Sequence, residues 1–112
     1  MSKYFAEKNI ADNIHFDSKK EMQRYFQLKE MQERGEISSL RLQVPYEIIP
    51  KQIKKNGKSE RKCEYIADFV YEKDGETVVE DVKGYRRSTA YAVFSLKRKL
   101  MLQVFGIEVR EV

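Results

Sequence analysis

Histidine, cysteine and proline are nearly missing from this 112-residue chain, which has one His, one Cys, two Pro, five Gly and no Trp. A lone Cys63 excludes an internal disulfide. With His15 as the sole imidazole, neither a Cys/His zinc cluster nor a multi-histidine metal site can be built. Cys63 opens an apolar run while His15 lies in a polar lead-in, so the thiol reads as packing rather than as a nucleophile. Long apolar runs are lacking too. The longest, residues 90–94, is far short of the ~20 residues a membrane helix requires; a soluble protein without a secretory signal is expected.

What the chain does have is 41% hydrophobic residues, seven Tyr, six Phe and 36% charged residues, the balance of a globular domain with a charged surface. The length suits a single domain over 1–112 and leaves no room for two. The net charge of +4 is unevenly spread. Residues 51–62 carry Lys51, Lys54, Lys55, Lys58, Arg61 and Lys62 against Glu60 alone, a local +5 that leaves −1 for the remainder. Such a loop is either a solvated connection or an arm that follows a phosphate backbone.

No repeat or low-complexity stretch interrupts the chain, and residues 1–15 form a lead-in without steady periodicity. In Asp17-Ser18-Lys19-Lys20-Glu21 a serine N-cap is followed three residues later by glutamate. Met22, Tyr25, Phe26, Leu28 and Met31 then recur at helical spacing, and this helix should end near Gly35. Strands are expected over 40–50, over 63–72 and over 77–83, the last two joined by the tight-turn dipeptide Asp74-Gly75. The middle strand is apolar on both faces, as a central strand covered on both sides would be. A second helix runs from about Ser88 to Phe105 with Gly106 as its C-terminal cap, and residues 107–112 suit a short final strand. The order is helix, three strands, helix, strand.

Four charged groups stand against this pattern. Glu21 lies between the directions of Tyr25 and Leu28, inside the apolar arc of the first helix, although capping by Ser18 would also account for it. Asp68 alternates with Ile66 and Val70 in the central strand, where a buried carboxylate needs a cation or donors. In Glu80-Asp81-Val82-Lys83-Gly84, alternation puts Asp81 and Lys83 on one face and Glu80 on the other. A register slip of one would present Glu80 instead; the two-residue spacing to Lys83 favours Asp81. Lys97 falls near the middle of the second helix's apolar arc. It is either a snorkelling lysine or an amine aimed between helix and sheet.

Taken in order, Glu21, Asp68, Asp81-Val82-Lys83 and Lys97 resemble the PD-(D/E)XK nuclease superfamily, with Ala67 standing where the name-giving proline would be. Phe16-Asp17-Ser18-Lys19-Lys20-Glu21, Tyr65-Ile66-Ala67-Asp68-Phe69, Leu96-Lys97-Arg98-Lys99-Leu100 and Gly106-Ile107 further look like a small phage and prophage family of unknown-function label grouped with these nucleases. The resemblance covers nearly everything after residue 15. It implies an α/β fold with an αβββαβ restriction-endonuclease-like core, a mixed four-stranded sheet flanked by helices.

The resemblance further implies a Mg²⁺-dependent DNA endonuclease, with Mn²⁺ able to substitute. Asp68, Asp81, the Val82 carbonyl and Glu21 would be the metal ligands, Lys83 would orient or activate water, and Lys97 would neutralise a phosphate oxygen. Lys54, Lys55, Lys58, Arg86 and Arg87 are the expected contacts to nucleic acid. Similarity to Holliday-junction resolvases of the superfamily points to cutting of branched DNA in phage recombination, replication or packaging. It also points to a homodimer in the bacterial host cytoplasm, with no membrane and no nucleotide cofactor. A non-catalytic nucleic-acid-binding protein that keeps the nuclease fold is the alternative.

Overall fold

The computed structural model describes residues 9–84 and 86–112. The part of the lead-in over 1–8 lies outside the described residues. The part within them folds into a small hairpin, β1 (Ile10–Ala11) and β2 (Ile14–His15), turned at Asp12 and Asn13. It leads to α1 (Lys19–Glu33), whose N-cap Ser18 accepts a hydrogen bond from the Glu21 N–H at 3.1 Å.

The sheet follows as β3 (Ser38–Ile49), β6 (Cys63–Lys73), β7 (Glu76–Asp81) and β8 (Arg110–Glu111), adjacent in that order. The first two pairings are antiparallel and β7 with β8 is parallel, so the sheet is mixed. Between β3 and β6 the basic segment makes its own hairpin, β4 (Gln52–Ile53) with β5 (Ser59–Glu60). Between β7 and β8 runs α2 (Thr89–Phe105), capped by Ser88 and ended by Gly106 in the left-handed region at φ 68°. The β6–β7 turn has both Asp74 and Gly75 at positive φ, the geometry that matches the twist of the flanking strands. The fold is thus α/β with the expected order of elements. No helix among the described residues is long and apolar enough to cross a membrane.

Two cores sandwich the sheet. Against α1 lie Phe69, Tyr71 and Val78 with Tyr25 and Leu28; against α2 lie Tyr65, Ala67, Val70 and Val79 with Phe94 and Met101. The residues of β6 do not keep to one alternation. Tyr65 and Ala67 face α2, whereas Phe69 and Tyr71, of the same parity, face α1. In β3 the same exchange separates Val44 and Tyr46 from Leu40 and Leu42. Both exchanges fall at one rung, where Gln43 stands opposite Asp68 and Gln43 has φ 52°.

This corrects two expectations. Asp68 does not share one direction with Ile66 and Val70, because the strand changes faces between them. Nor is β6 covered on both sides throughout: β7 pairs it only from Phe69 onward, and Ile66 is 51% exposed. The final strand is also shorter than 107–112. Residues 106–109 diverge from β7 and leave a groove of about 920 Å³ lined by Glu76, Thr77, Val78 and Ile107, with Val109 turned into the α2-side core.

Candidate functional site

The rung at which the strands exchange faces is also where β6 and β7 part. Their register pairs Phe69 with Glu80, and continuing it by one places Asp68 opposite Asp81. Beyond this point β7 is tied to the C-terminus instead. The Val112 N–H donates to the Asp81 carbonyl at 3.0 Å and the Lys83 N–H donates to the Val112 carbonyl at 3.1 Å. The fork so formed collects Glu21 from the first turn of α1, Gln43 from β3, Asp68 from β6, and Asp81 and Lys83 from the end of β7.

Each carboxylate there has internal donors. Gln43 Nε2 donates to Glu21 Oε2 and to Asp68 Oδ1, both at 3.3 Å, and the Val82 N–H donates to Asp68 Oδ2 at 2.8 Å. Asp81 Oδ1 lies 3.0 Å from Lys83 Nζ, and Asp81 Oδ2 accepts from the Tyr65 hydroxyl at 2.7 Å. The Lys83 ammonium also sits 4.0 Å from the Phe94 ring centroid, where the face of the ring attracts it. Glu21 and Asp81 are buried and Asp68 is half-buried. Only the Glu21 backbone N–H takes part in capping α1; among the described residues its side chain makes no bond to the Ser18 N–H and is turned into the fork, where it accepts from Gln43.

The electrostatics are those of acids crowded together with too little positive charge. Burial, reinforced by the charges of Asp68, Asp17 and Asp81, pushes the Glu21 carboxyl up to about 7 despite Lys83. Burial likewise pushes Asp68 up to about 6; the Val82 N–H opposes this and Asp81 adds to it. Tyr65 is held far above the ordinary tyrosine range by burial and by its bond to Asp81, so it stays a neutral donor.

The neighbour of Asp81 has a different setting. Glu80, 1% exposed, points to the α1 side, where Arg24 grips it with Nε on Oε1 at 2.8 Å and Nη2 on Oε2 at 2.6 Å, and the Tyr71 hydroxyl donates at 2.5 Å. The strand register therefore directs Asp81, not Glu80, into the fork.

Other expected residues lie elsewhere. Lys97 is half-buried, one helical turn from both Phe94 and Met101, and has no hydrogen bond or ion pair to the cluster among the described residues. Phe94 and Met101 are the buried centre of α2, while Val93, Leu96 and Val104 are exposed. Lys54, Lys55 and Lys58 are exposed on the β4–β5 hairpin, with Lys54 3.5 Å from Glu60. Arg86 and Arg87 are exposed ahead of α2, Arg86 lying 3.3 Å from Glu111. Sequence reasoning missed Gln43, Tyr65 and Arg24. The two neutral ones leave no signal of charge against pattern, and Arg24 falls on a polar helix face.

Glu21, Asp68 and Asp81 are hard oxygen donors of the kind that suits Mg²⁺ or Mn²⁺. As placed, however, no three acidic, histidine or cysteine side chains among the described residues stand together as a metal-holding group. The Gln43 amide lies between Glu21 and Asp68, and Lys83 occupies Asp81. The donor chemistry and the uncompensated acids fit a divalent cation, provided these two internal donors yield.

Fold and site together define a mixed α/β domain with an acidic cluster and one lysine at a strand fork. Residues 1–110 match the model of a family described as a protein of unknown function, DUF1064, and the chain belongs to that family. No curated protein and no solved structure matches it.

Proposed function

We propose that the chain is a metal-dependent DNA endonuclease of the PD-(D/E)XK type, acting on branched DNA such as four-way junctions in phage recombination, replication or packaging. The observation that carries this reading is the convergence of Glu21, Asp68, Asp81 and Lys83, from three separate elements, on the fork between β6 and β7. A structural ion pair between Asp81 and Lys83 would not require two further acids to be gathered there at an electrostatic cost.

Asp68, Asp81 and the Val82 carbonyl would hold the cation, with Glu21 completing the shell. When bound, the cation supplies charge neutralisation for the pentavalent transition state and acidifies the attacking water. Lys83, released from Asp81, would hold that water by hydrogen bonding in line with the scissile phosphorus. Tyr65 would keep Asp81 oriented, and its neutrality ensures that it donates rather than competes. Lys54, Lys55, Lys58, Arg86 and Arg87 would carry the flanking phosphates, and Lys97 a phosphate oxygen farther along α2. A homodimer would present two such sites to a branched substrate.

Plasmid, single-stranded and four-way-junction DNA incubated with Mg²⁺, Mn²⁺ or EDTA test this reading. Cation-dependent cutting, strongest on the junction, is expected. Binding of DNA without cutting in either metal would leave the non-catalytic module in its place.

A further inference from the structure

We infer that Gln43 is the positioning residue of the acidic cluster: its side-chain amide keeps the cation seat between Glu21 and Asp68 in the metal-free protein and gives way when the cation enters. This rests on the metal-dependent reading above. Three observations converge on it.

The first is the bridge itself. One nitrogen donates at 3.3 Å to a carboxylate oxygen of α1 and at 3.3 Å to one of β6, so a single neutral group joins two acids that would otherwise repel. The nearest ammonium is engaged elsewhere, 3.0 Å from Asp81 and over the Phe94 ring.

The second is the backbone. Gln43 has φ 52°, a region that strains a non-glycine residue and that clusters at functional sites. Asp12, Asn13 and Asp74 share this region in turns, and Ser39 sits at a register shift near the start of β3. Gln43 has neither reason. Leu42 pairs with Phe69 and Val44 with Ala67 in unbroken register on either side of it. What the conformation achieves is the exchange of faces, which sets the Gln43 side chain against Asp68 and within reach of Glu21.

The third is chemical. An amide donates two directed hydrogen bonds without carrying a charge of its own, strong enough to orient the acids and weak enough for a dication to displace. A lysine or arginine at the same point would neutralise the pair and compete with the metal by its charge.

The test compares wild-type protein with Gln43→Met, which keeps the unbranched stem and removes both donors. Mn²⁺ binding is followed by calorimetry without DNA. The variant should bind Mn²⁺ about three- to tenfold more tightly, because the internal competitor is gone. Its melting temperature should fall in EDTA and recover towards wild type in saturating Mn²⁺. Equal or weaker binding by the variant would overturn the inference. A wild type that takes up no Mn²⁺ would overturn the metal-dependent reading itself, a distinct result. A measurement on unaltered protein covers the case of a misfolded variant: the Gln43 side-chain amide resonances should shift in step with Mg²⁺ occupancy, and resonances that stay fixed would rule the displacement out.

Discussion

Glu80 and Asp81 are consecutive, chemically alike and both almost fully buried, yet they lie on opposite faces of one strand in opposite circumstances. Glu80 meets the planar fork of Arg24 and the Tyr71 hydroxyl, so its charge is matched group for group. Asp81 shares one lysine with a region that also contains Asp68 and Glu21. Burial alone therefore does not distinguish a structural carboxylate from a functional one; the local balance of charge does. Both carboxylates are hydrogen-bonded, Glu80 to Arg24 and Tyr71 and Asp81 to Lys83 and Tyr65, but Glu80 stands in a region of balanced charge whereas Asp81 stands beside two further acids.

The comparison is broken most severely at the acids of the fork. Asp68→Asn and Asp81→Asn should each lower Mg²⁺-dependent cleavage by on the order of 10³-fold or more while the protein stays folded and still binds DNA. Retention of wild-type cleavage by either variant, measured alongside its circular dichroism, would remove that residue from the site. On the opposite face the effect should be on stability. Arg24→Met leaves Glu80 buried and unpaired and should cost about 3–5 kcal/mol in urea unfolding, with Mn²⁺ affinity unchanged. A cost below 1 kcal/mol would mean that Glu80 is no better matched than Asp81.

Lys83→Ala should reduce turnover by about 10²- to 10³-fold while the Mg²⁺ midpoint moves to lower concentration, because in the proposed mechanism the lysine acts on water and, in the metal-free protein, competes with the cation for Asp81. If the Mg²⁺ midpoint shifts while the maximal rate holds, Lys83 is a counter-ion for Asp81 only.

The pH dependence sharpens the contrast further. Glu21 and Asp68 retain protons to about pH 7 and about pH 6 in the folded chain, above the ordinary values of 4.5 and 3.8. The folded state thus binds more protons than the unfolded one between about pH 4 and 7. Metal-free stability should accordingly decline as pH rises through that window and level off above it. Denaturation across pH in EDTA checks this, and Glu21→Gln should remove about half of the slope, the rest belonging to Asp68. A stability that rises from pH 5 to 7 would contradict the crowding of acids.

Much of this arrangement is legible in the sequence because it depends on local rules. Ser18 and Gly106 cap the helices where they are expected, the second helix begins beside Ser88, and Asp74-Gly75 makes the tight turn. Alternation is enough to send Asp81 and Glu80 to opposite faces. Alternation misleads at Asp68, because it assumes a regular strand, and the exchange of faces at Gln43 is a backbone event that no periodicity announces. The apolar arc of the second helix misleads for a related reason. An apolar arc on a helix normally marks the buried side, but on α2 Val93, Leu96 and Val104 are exposed, and the core takes Phe94 and Met101 with Tyr91 and Leu100 packed at its margin. The bridging role of Gln43 and the grip of Arg24 are tertiary, joining residues 22 or more positions apart.

The smallest expected effect lies outside both faces. Neutralising Lys54, Lys55 and Lys58 together should weaken DNA binding and make its salt dependence shallower, by ~0.9 in log–log slope for each lost phosphate contact. Metal affinity should not change. An unaltered slope, read from binding isotherms at several salt concentrations, would mark the β4–β5 hairpin as solvated surface and shift the DNA path towards Arg86 and Arg87.

The most direct test of the central claim sets the two neighbouring carboxylates against each other in one assay: cleavage of a labelled four-way junction in Mg²⁺ by wild type, Asp81→Asn and Glu80→Gln, each repeated in EDTA. Cleavage by wild type in Mg²⁺ alone, none by Asp81→Asn, and cleavage by whatever fraction of Glu80→Gln remains folded are the predicted results. Cutting that persists in EDTA, or Asp81→Asn cutting as fast as wild type, would contradict the account.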